Sequence, residues 1–213
     1  MNPLFFRMGA FAALHYFVWP FLRDSVIWRK EPDQLENTWP QTILQTALYF
    51  LIVFFFFLVL LYQSQESMLY VPNQPFRYMK DNPERYRSPA DRSLSFEDVR
   101  IKASDGTNLH GWLIYHPREP KSHDTVVFMH ENAGNIGLRM DYFQMLHVYG
   151  KFNILCVAYR GYSESEGTPN ENGIKLDAVA ITKFAKQCPI IDTNRVFLFG
   201  RSLGGAVALH LVS

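Results

Sequence analysis

Residues 195–208 read R-V-F-L-F-G-R-S-L-G-G-A-V-A. An apolar strand, Val196 to Phe199, runs into a G-x-S-x-G turn, Gly200 to Gly204, and a helix of small residues follows from Gly205 to Val212. Four consecutive apolar residues call for a strand buried on both faces. The turn calls for a strained corner that holds Ser202 between two glycines, because a side chain at either flank would collide with the neighbouring strand or helix. Such a corner presents the Ser202 hydroxyl at the end of a sheet. The bare Gly-Ser-Gly spacing carries little weight; the strand before it and the helix after it carry the argument. The alternative is an ordinary strand-to-helix corner with an exposed serine.

The rest of the chain frames that corner. Its formal net charge of +1 over 213 residues gives no electrostatic argument for nucleic acid, and no nucleic-acid partner is expected. The length allows one domain with an appendage. The two cysteines, Cys156 in an expected buried strand and Cys188 before Pro189, form no C-x-x-C and indicate neither a disulfide framework nor a metal site.

Residues 43–62 read I-L-Q-T-A-L-Y-F-L-I-V-F-F-F-F-L-V-L-L-Y. About 20 residues at about 1.5 Å rise cover a bilayer's hydrocarbon core, and a soluble core helix is rarely apolar on every side. A transmembrane helix is therefore expected over 43–62, with the lipid bilayer as a partner. It begins too late and runs too long for a cleaved signal peptide. Residues 1–42 are expected to form a membrane-associated segment. Within it, residues 4–22 fit a second span whose Arg7 snorkels, or an interfacial helix lying on the membrane; the interfacial reading is preferred. Arg23, Arg29 and Lys30 before the span and Arg77 and Lys80 after it are too evenly divided to fix orientation.

Residues 63–93, punctuated by Pro72, Pro75, Pro83 and Pro89, are expected to be a neck. Its apolar patch, Met68 to Pro72, suits packing under a domain or contact with the membrane surface. From Leu94 strands and helices alternate. Strands are expected over Phe96–Lys102, Leu109–His116, Thr125–His130, Phe152–Tyr159 and Arg195–Gly200, with a hairpin turn at Ser104-Asp105-Gly106-Thr107. Helices are expected over Ile136–Tyr149 and Asn172–Lys186. A hairpin followed by repeated strand–helix units predicts an α/β fold with a mostly parallel sheet and helices on both faces.

A second loop lies beyond the strand 125–130: His130-Glu131-Asn132-Ala133-Gly134-Asn135. The backbone N–H groups of Asn132 and Leu203 are the candidates for a pair of donors that would stabilise charge developing on a carbonyl oxygen. His130 ends a central strand and reads as a structural histidine fixing this loop. The run Tyr159-Arg160-Gly161-Tyr162-Ser163-Glu164-Ser165-Glu166-Gly167 reads as a polar loop, with Arg160 and Glu166 expected in ion pairs that support the site's mouth.

Together, H-E-N-A-G-N-I-G, Y-R-G-Y-S-E-S-E-G and F-L-F-G-R-S-L-G-G-A-V-A resemble the membrane-anchored α/β-hydrolase-domain serine hydrolases of the bud-emergence (Bem-like) branch. The resemblance covers most of the chain from the span to Ser213. It implies an α/β-hydrolase fold over 94–213, of which the N-terminal part is present, preceded by the transmembrane helix. It implies a cofactor-free serine hydrolase acting on acyl esters or thioesters of proteins or lipids, protein depalmitoylation among them, in a single-pass type II membrane protein held by a signal anchor. Ser202 falls on the family's catalytic nucleophile, and Asn132 and Leu203 on its oxyanion hole. Glu131 and Ser163 replace glycines of the pattern, which matters where φ must be positive. The family's triad Asp and His follow the nucleophile, and residues 203–213 do not supply them; His210 sits on the same helix as Ser202, and Asp177 and Asp192 precede the serine. Two hypotheses therefore stand: a serine hydrolase, and a non-catalytic scaffold or fragment that keeps half of the hydrolase fold.

Overall fold

The computed structural model describes Tyr16 and residues 38–212. The segment read as an interfacial helix, residues 4–22, lies outside the described residues apart from Tyr16. The chain divides into two compact units, Met1–Met68 and Leu69–Ser213.

In the first unit helix α1 runs from Thr38 to Leu69. It outlasts the apolar run at both ends. Residues 63–69, expected to begin the neck, continue the helix because no proline or glycine interrupts before Pro72. Leu48, Phe50, Phe54 and Phe57 are all exposed, so α1 is apolar on every side. The stretch Thr46–Leu69 is long and apolar enough to cross a membrane.

The second unit is built on a five-stranded sheet in the order β1-β2-β4-β3-β5. Its strands are β1 (Phe96–Lys102), β2 (Asn108–Ile114), β3 (Thr125–Met129), β4 (Asn153–Val157) and β5 (Val196–Gly200). The β1–β2 and β2–β4 pairs are antiparallel, and the β3–β4 and β3–β5 pairs are parallel. The sheet is thus mixed, because the N-terminal hairpin supplies as many antiparallel pairings as the strand–helix units supply parallel ones. Every residue of β3 and β4 is buried, as befits strands covered on both faces. Strand β5 lies at an edge with Phe197 and Phe199 exposed.

Three helices cover the sheet: α2 (Met140–Val148), α3 (Glu171–Gln187) and α4 (Leu203–Val212). The crossover β3-α2-β4 runs in one direction across the sheet and β4-α3-β5 in the other, so right-handed connections place α2 and α3 on opposite faces. Phe143 of α2 meets Phe128 edge to face at 5.3 Å, while α4 packs on β3, β5 and α3. Helix α3 starts where Asn170 Oδ1 accepts the Gly173 N–H at 2.7 Å, an N-cap. The expected helix 136–149 opens instead with a 3₁₀ turn, Ile136–Arg139. Gly137 presses against the Tyr86 carbonyl there, where a Cβ has no room.

The neck belongs to this second unit. Tyr70 is buried, and Val71 forms a parallel bridge with Ala133. Asn82 and Asn135 exchange side-chain amide hydrogen bonds of 2.8 and 2.7 Å in the interior. The apolar patch at Tyr70 and Val71 therefore packs under the domain.

Candidate active site

Parallel strands β3 and β5 end side by side, with Met129 paired to Gly200. The two loops that follow leave from the same end of the sheet. Asn132 is the third residue beyond Met129, and Leu203 the third beyond Gly200.

On the β5 side, Ser202 is exposed and has φ +53°. A non-glycine residue in that region carries about 1–2 kcal/mol of strain. The corner is held by Arg201 N–H to the Met129 carbonyl (3.3 Å), Gly204 N–H to the Arg201 carbonyl (2.9 Å) and Gly205 N–H to the Ser202 carbonyl (2.9 Å). Both flanking glycines are sterically required. A Cβ on Gly200 would fall on the Gly204 backbone, and one on Gly204 would fall on the Met129 carbonyl. The strained strand-to-helix corner expected from the sequence is therefore present, for the reason expected.

On the β3 side the loop is fastened from three directions. Asn132 Oδ1 accepts from the Tyr162 hydroxyl at 2.6 Å and from the Val71 N–H at 3.4 Å, while its Nδ2 donates to the Leu69 carbonyl. Arg139 Nη2 donates to the Ala133 carbonyl, and its Nε lies 2.6 Å from Glu131 Oε2. Glu131 Oε1 in turn lies 3.1 Å from Arg201 Nη1, which ties this loop to the corner at Ser202. Glu131 is not among the residues of positive φ, so the position does not need glycine, and its carboxylate joins two arginines instead. Ser163 does sit at φ +50°, and its hydroxyl offsets the strain by accepting the Ile136 N–H at 3.0 Å.

Among the described residues, neither the Asn132 N–H nor the Leu203 N–H donates a hydrogen bond. The Asn132 side chain is held at both its oxygen and its nitrogen while its backbone donor is left over. Leu203 opens α4, where first-turn N–H groups have no partner within the helix.

His130 is the structural histidine expected. It is buried, Nε2 accepts the Tyr159 N–H at 3.1 Å, and Nδ1 lies 2.8 Å from the Glu131 carbonyl. The accepted N–H fixes the tautomer, with Nδ1 donating. Burial pulls its pKa down to about 3, so the ring is neutral with both nitrogens committed. Asp177 is likewise committed. It takes Arg160 Nη2 at 2.8 Å and the Arg160 backbone N–H at 2.8 Å, and its bond to the guanidinium raises that group's pKa further. Asp192 closes the turn before β5, at the other end of the sheet, by accepting the Asn194 N–H.

One expectation needs correction. Arg160 pairs with Asp177 and, through Nη1, with Asp105 at 2.7 Å, and not with Glu166. Glu166 accepts from the Asn108 backbone and side chain at 3.3 and 2.9 Å. The hairpin turn and α3 brought nearer carboxylates than the loop itself could. Tyr162, the Leu69 carbonyl and the Val71 N–H that hold Asn132 were not foreseen; each lies 30 or more residues from it, and no local pattern marks such a contact.

No protein-family model matches the chain. The chain is 40% identical over 152 residues to the α/β-hydrolase-domain-containing protein WAV2 of Arabidopsis thaliana, covering 71% of this chain and 48% of that protein. It is 28% identical over 153 residues to protein bem46 of Schizosaccharomyces pombe, covering 72% and 50%. Among solved structures it superposes on an esterase from Pyrococcus furiosus with a TM-score of 0.50 at 24% identity, covering 59% of this chain and 50% of that one. The chain has the α/β-hydrolase fold. Its relatives are α/β-hydrolase-domain proteins of the Bem46/WAV2 kind, and it spans about half the length of the curated relatives it matches. In an α/β hydrolase the corner after β5 and the loop after β3 are where nucleophile and oxyanion donors stand.

Proposed function

We propose that this chain carries the nucleophile and oxyanion half of a membrane-anchored serine hydrolase that cleaves acyl esters or thioesters. Within the Bem-like group we read its motifs and neck as resembling those of α/β-hydrolase-domain-containing protein thirteen, and long-chain acyl thioesters on proteins are the substrate class we favour. Helix α1 would anchor it as a single-pass type II protein. The observation that carries the reading is the strained Ser202 corner, with two unengaged N–H groups at matched positions beyond the paired ends of β3 and β5.

In this reading Ser202 Oγ attacks the acyl carbonyl carbon. The Asn132 and Leu203 N–H groups receive the oxyanion, and the alcohol or thiol leaves as the acyl-serine forms. A base must take the serine proton. His130 and Asp177 are excluded from that role by their existing bonds. The same fact favours a second reading, in which residues 1–213 by themselves are a non-catalytic scaffold.

The test joins residues 1–213 to the C-terminal half of the plant relative and measures hydrolysis of a long-chain acyl thioester. Turnover that Ser202→Ala abolishes supports the hydrolase reading. Turnover that survives Ser202→Ala removes Ser202 from the chemistry, and no turnover with a folded fusion leaves the scaffold reading standing.

A further inference from the structure

A backbone N–H stabilises an oxyanion only where its peptide is fixed in advance. Asn132 stands in an irregular loop, followed by Ala133 and by Gly134 at φ +63°, so its hold must come from outside that loop. Part of it comes from Arg139 at the Ala133 carbonyl, and the rest through the Asn132 side chain. Of the two donors to Asn132 Oδ1, the Val71 N–H stands at 3.4 Å, the outer limit of a hydrogen bond, and the Tyr162 hydroxyl at 2.6 Å. Tyr162 is a firm mount for that hydroxyl. Its N–H donates to the Tyr159 carbonyl and its carbonyl accepts the Ser165 N–H, both at 3.0 Å. Its ring is fully buried, edge-on to Tyr159 and His130 with centroids 6.2 and 5.1 Å away. Burial pushes the hydroxyl's pKa up, so it stays a donor through neutral and mildly alkaline pH. The next residue, Ser163, accepts the Ile136 N–H at 3.0 Å. The loop after β4 therefore grips the loop after β3 at both ends.

We infer that Tyr162 is a positioning residue of the hydrolase site: its hydroxyl fixes the Asn132 side chain and through it aims the Asn132 N–H at the oxyanion. Tyr162 touches no reacting atom, because its hydroxyl is spent on Asn132. The inference rests on the hydrolase reading above. The hold matters in the transition state, where the oxyanion carries its charge, and not in the bound substrate, so its loss lowers kcat and leaves KM. Misplacing a catalytic group by about 1 Å costs about 100-fold. Tyr162→Phe removes one hold and keeps the ring, so a loss of about 10-fold is expected.

Tyr162→Phe, Asn132→Ala and the double variant are made in residues 1–213 joined to the C-terminal half of the plant relative, and hydrolysis of a long-chain acyl thioester is measured well below each Tm. Tyr162→Phe lowers kcat about 10-fold at unchanged KM. In the Asn132→Ala background the same change has no further effect, because the hydroxyl has lost the group through which it acts. Ile181→Val, a buried change in α3 of similar cost to stability, leaves kcat as it was. In residues 1–213 alone, in a mild detergent, Tyr162→Phe speeds amide hydrogen exchange across residues 131–135 about fivefold, the worth of one hydrogen bond, and leaves β3 unchanged. Full kcat in Tyr162→Phe, with turnover that still depends on Ser202, overturns the positioning and leaves the hydrolase reading intact. Equal losses of kcat in both backgrounds, a loss matched by Ile181→Val, or unchanged exchange at 131–135 overturn it as well. A folded joined protein of native sequence without Ser202-dependent turnover refutes the hydrolase reading, and the positioning with it.

Discussion

The adjacent glycines at the start of α4 predict opposite responses to one added methyl group. Neither Gly204 nor Gly205 has positive φ, so alanine is conformationally allowed at both. At Gly204 a Cβ would fall on the Met129 carbonyl and lie 2.9 Å from that of His130. The obstacle is central-sheet backbone, which cannot swing aside as a side chain would. Overpacking of this kind costs about 1–3 kcal/mol or more, and here it pushes α4 off β3 and opens the Ser202 corner. At Gly205 the added Cβ meets only the Gly200 carbonyl at 3.7 Å, an ordinary contact. Alanine there gains about 1 kcal/mol of helix propensity. In a folded unit of this size that amounts to a rise of about 3 °C in Tm for Gly205→Ala and a fall of about 3–9 °C for Gly204→Ala. Trp112, buried in β2, reports unfolding by its emission in a mild detergent. Equal Tm values for the two variants, or a larger loss at 205, would refute the close packing on which the corner depends.

Further outcomes follow from the same contacts. His130 has a folded pKa of about 3 against an ordinary 6.5, so its contribution is complete above about pH 6.5 and is lost as pH falls towards 3; the full effect is about 5 kcal/mol, and His130→Asn should flatten the acid limb of Tm against pH. Asp177→Asn leaves the largely buried Arg160 with only Asp105, and should cost about 3–5 kcal/mol in denaturant unfolding. Ser163→Ala keeps the positive φ and loses the bond from Ile136, a loss of about 1 kcal/mol, whereas Ser163→Gly relieves the backbone and should come out nearer neutral. Two arginines introduced beside Phe54 should cost about 5 kcal/mol or more of insertion, visible as loss of carbonate-resistant membrane association.

What could be read from sequence was local. Strand β1 has the expected bounds at both ends, because alternation and the turn at Asp105-Gly106 both act over a few residues. The corner at Ser202 was legible because a clash between Gly204 and a neighbouring strand leaves its mark as glycine. The mixed sheet was less legible, since a hairpin joins its neighbour in either direction without changing its own pattern. The clamp on Asn132 was not legible at all. Leu69, Val71 and Tyr162 reach it across 30 to 63 residues of sequence, and only the folded chain brings them together. The partners of Arg160 failed for the same reason: the loop offered Glu166, and the fold offered Asp177.

The central proposal is that Ser202 is poised as a nucleophile by backbone geometry and needs a base that neither His130 nor Asp177 can supply. Fluorophosphonate labelling followed by peptide mapping tests it most directly, on residues 1–213 alone and on the same residues joined to the C-terminal half of the plant relative. The account predicts an adduct on Ser202 in the joined protein and little or none in residues 1–213 alone, because a corner and two oxyanion donors without a base leave only a small part of the rate. An adduct on any other residue, or strong labelling of residues 1–213 that Ser202→Ala leaves unchanged, would contradict it.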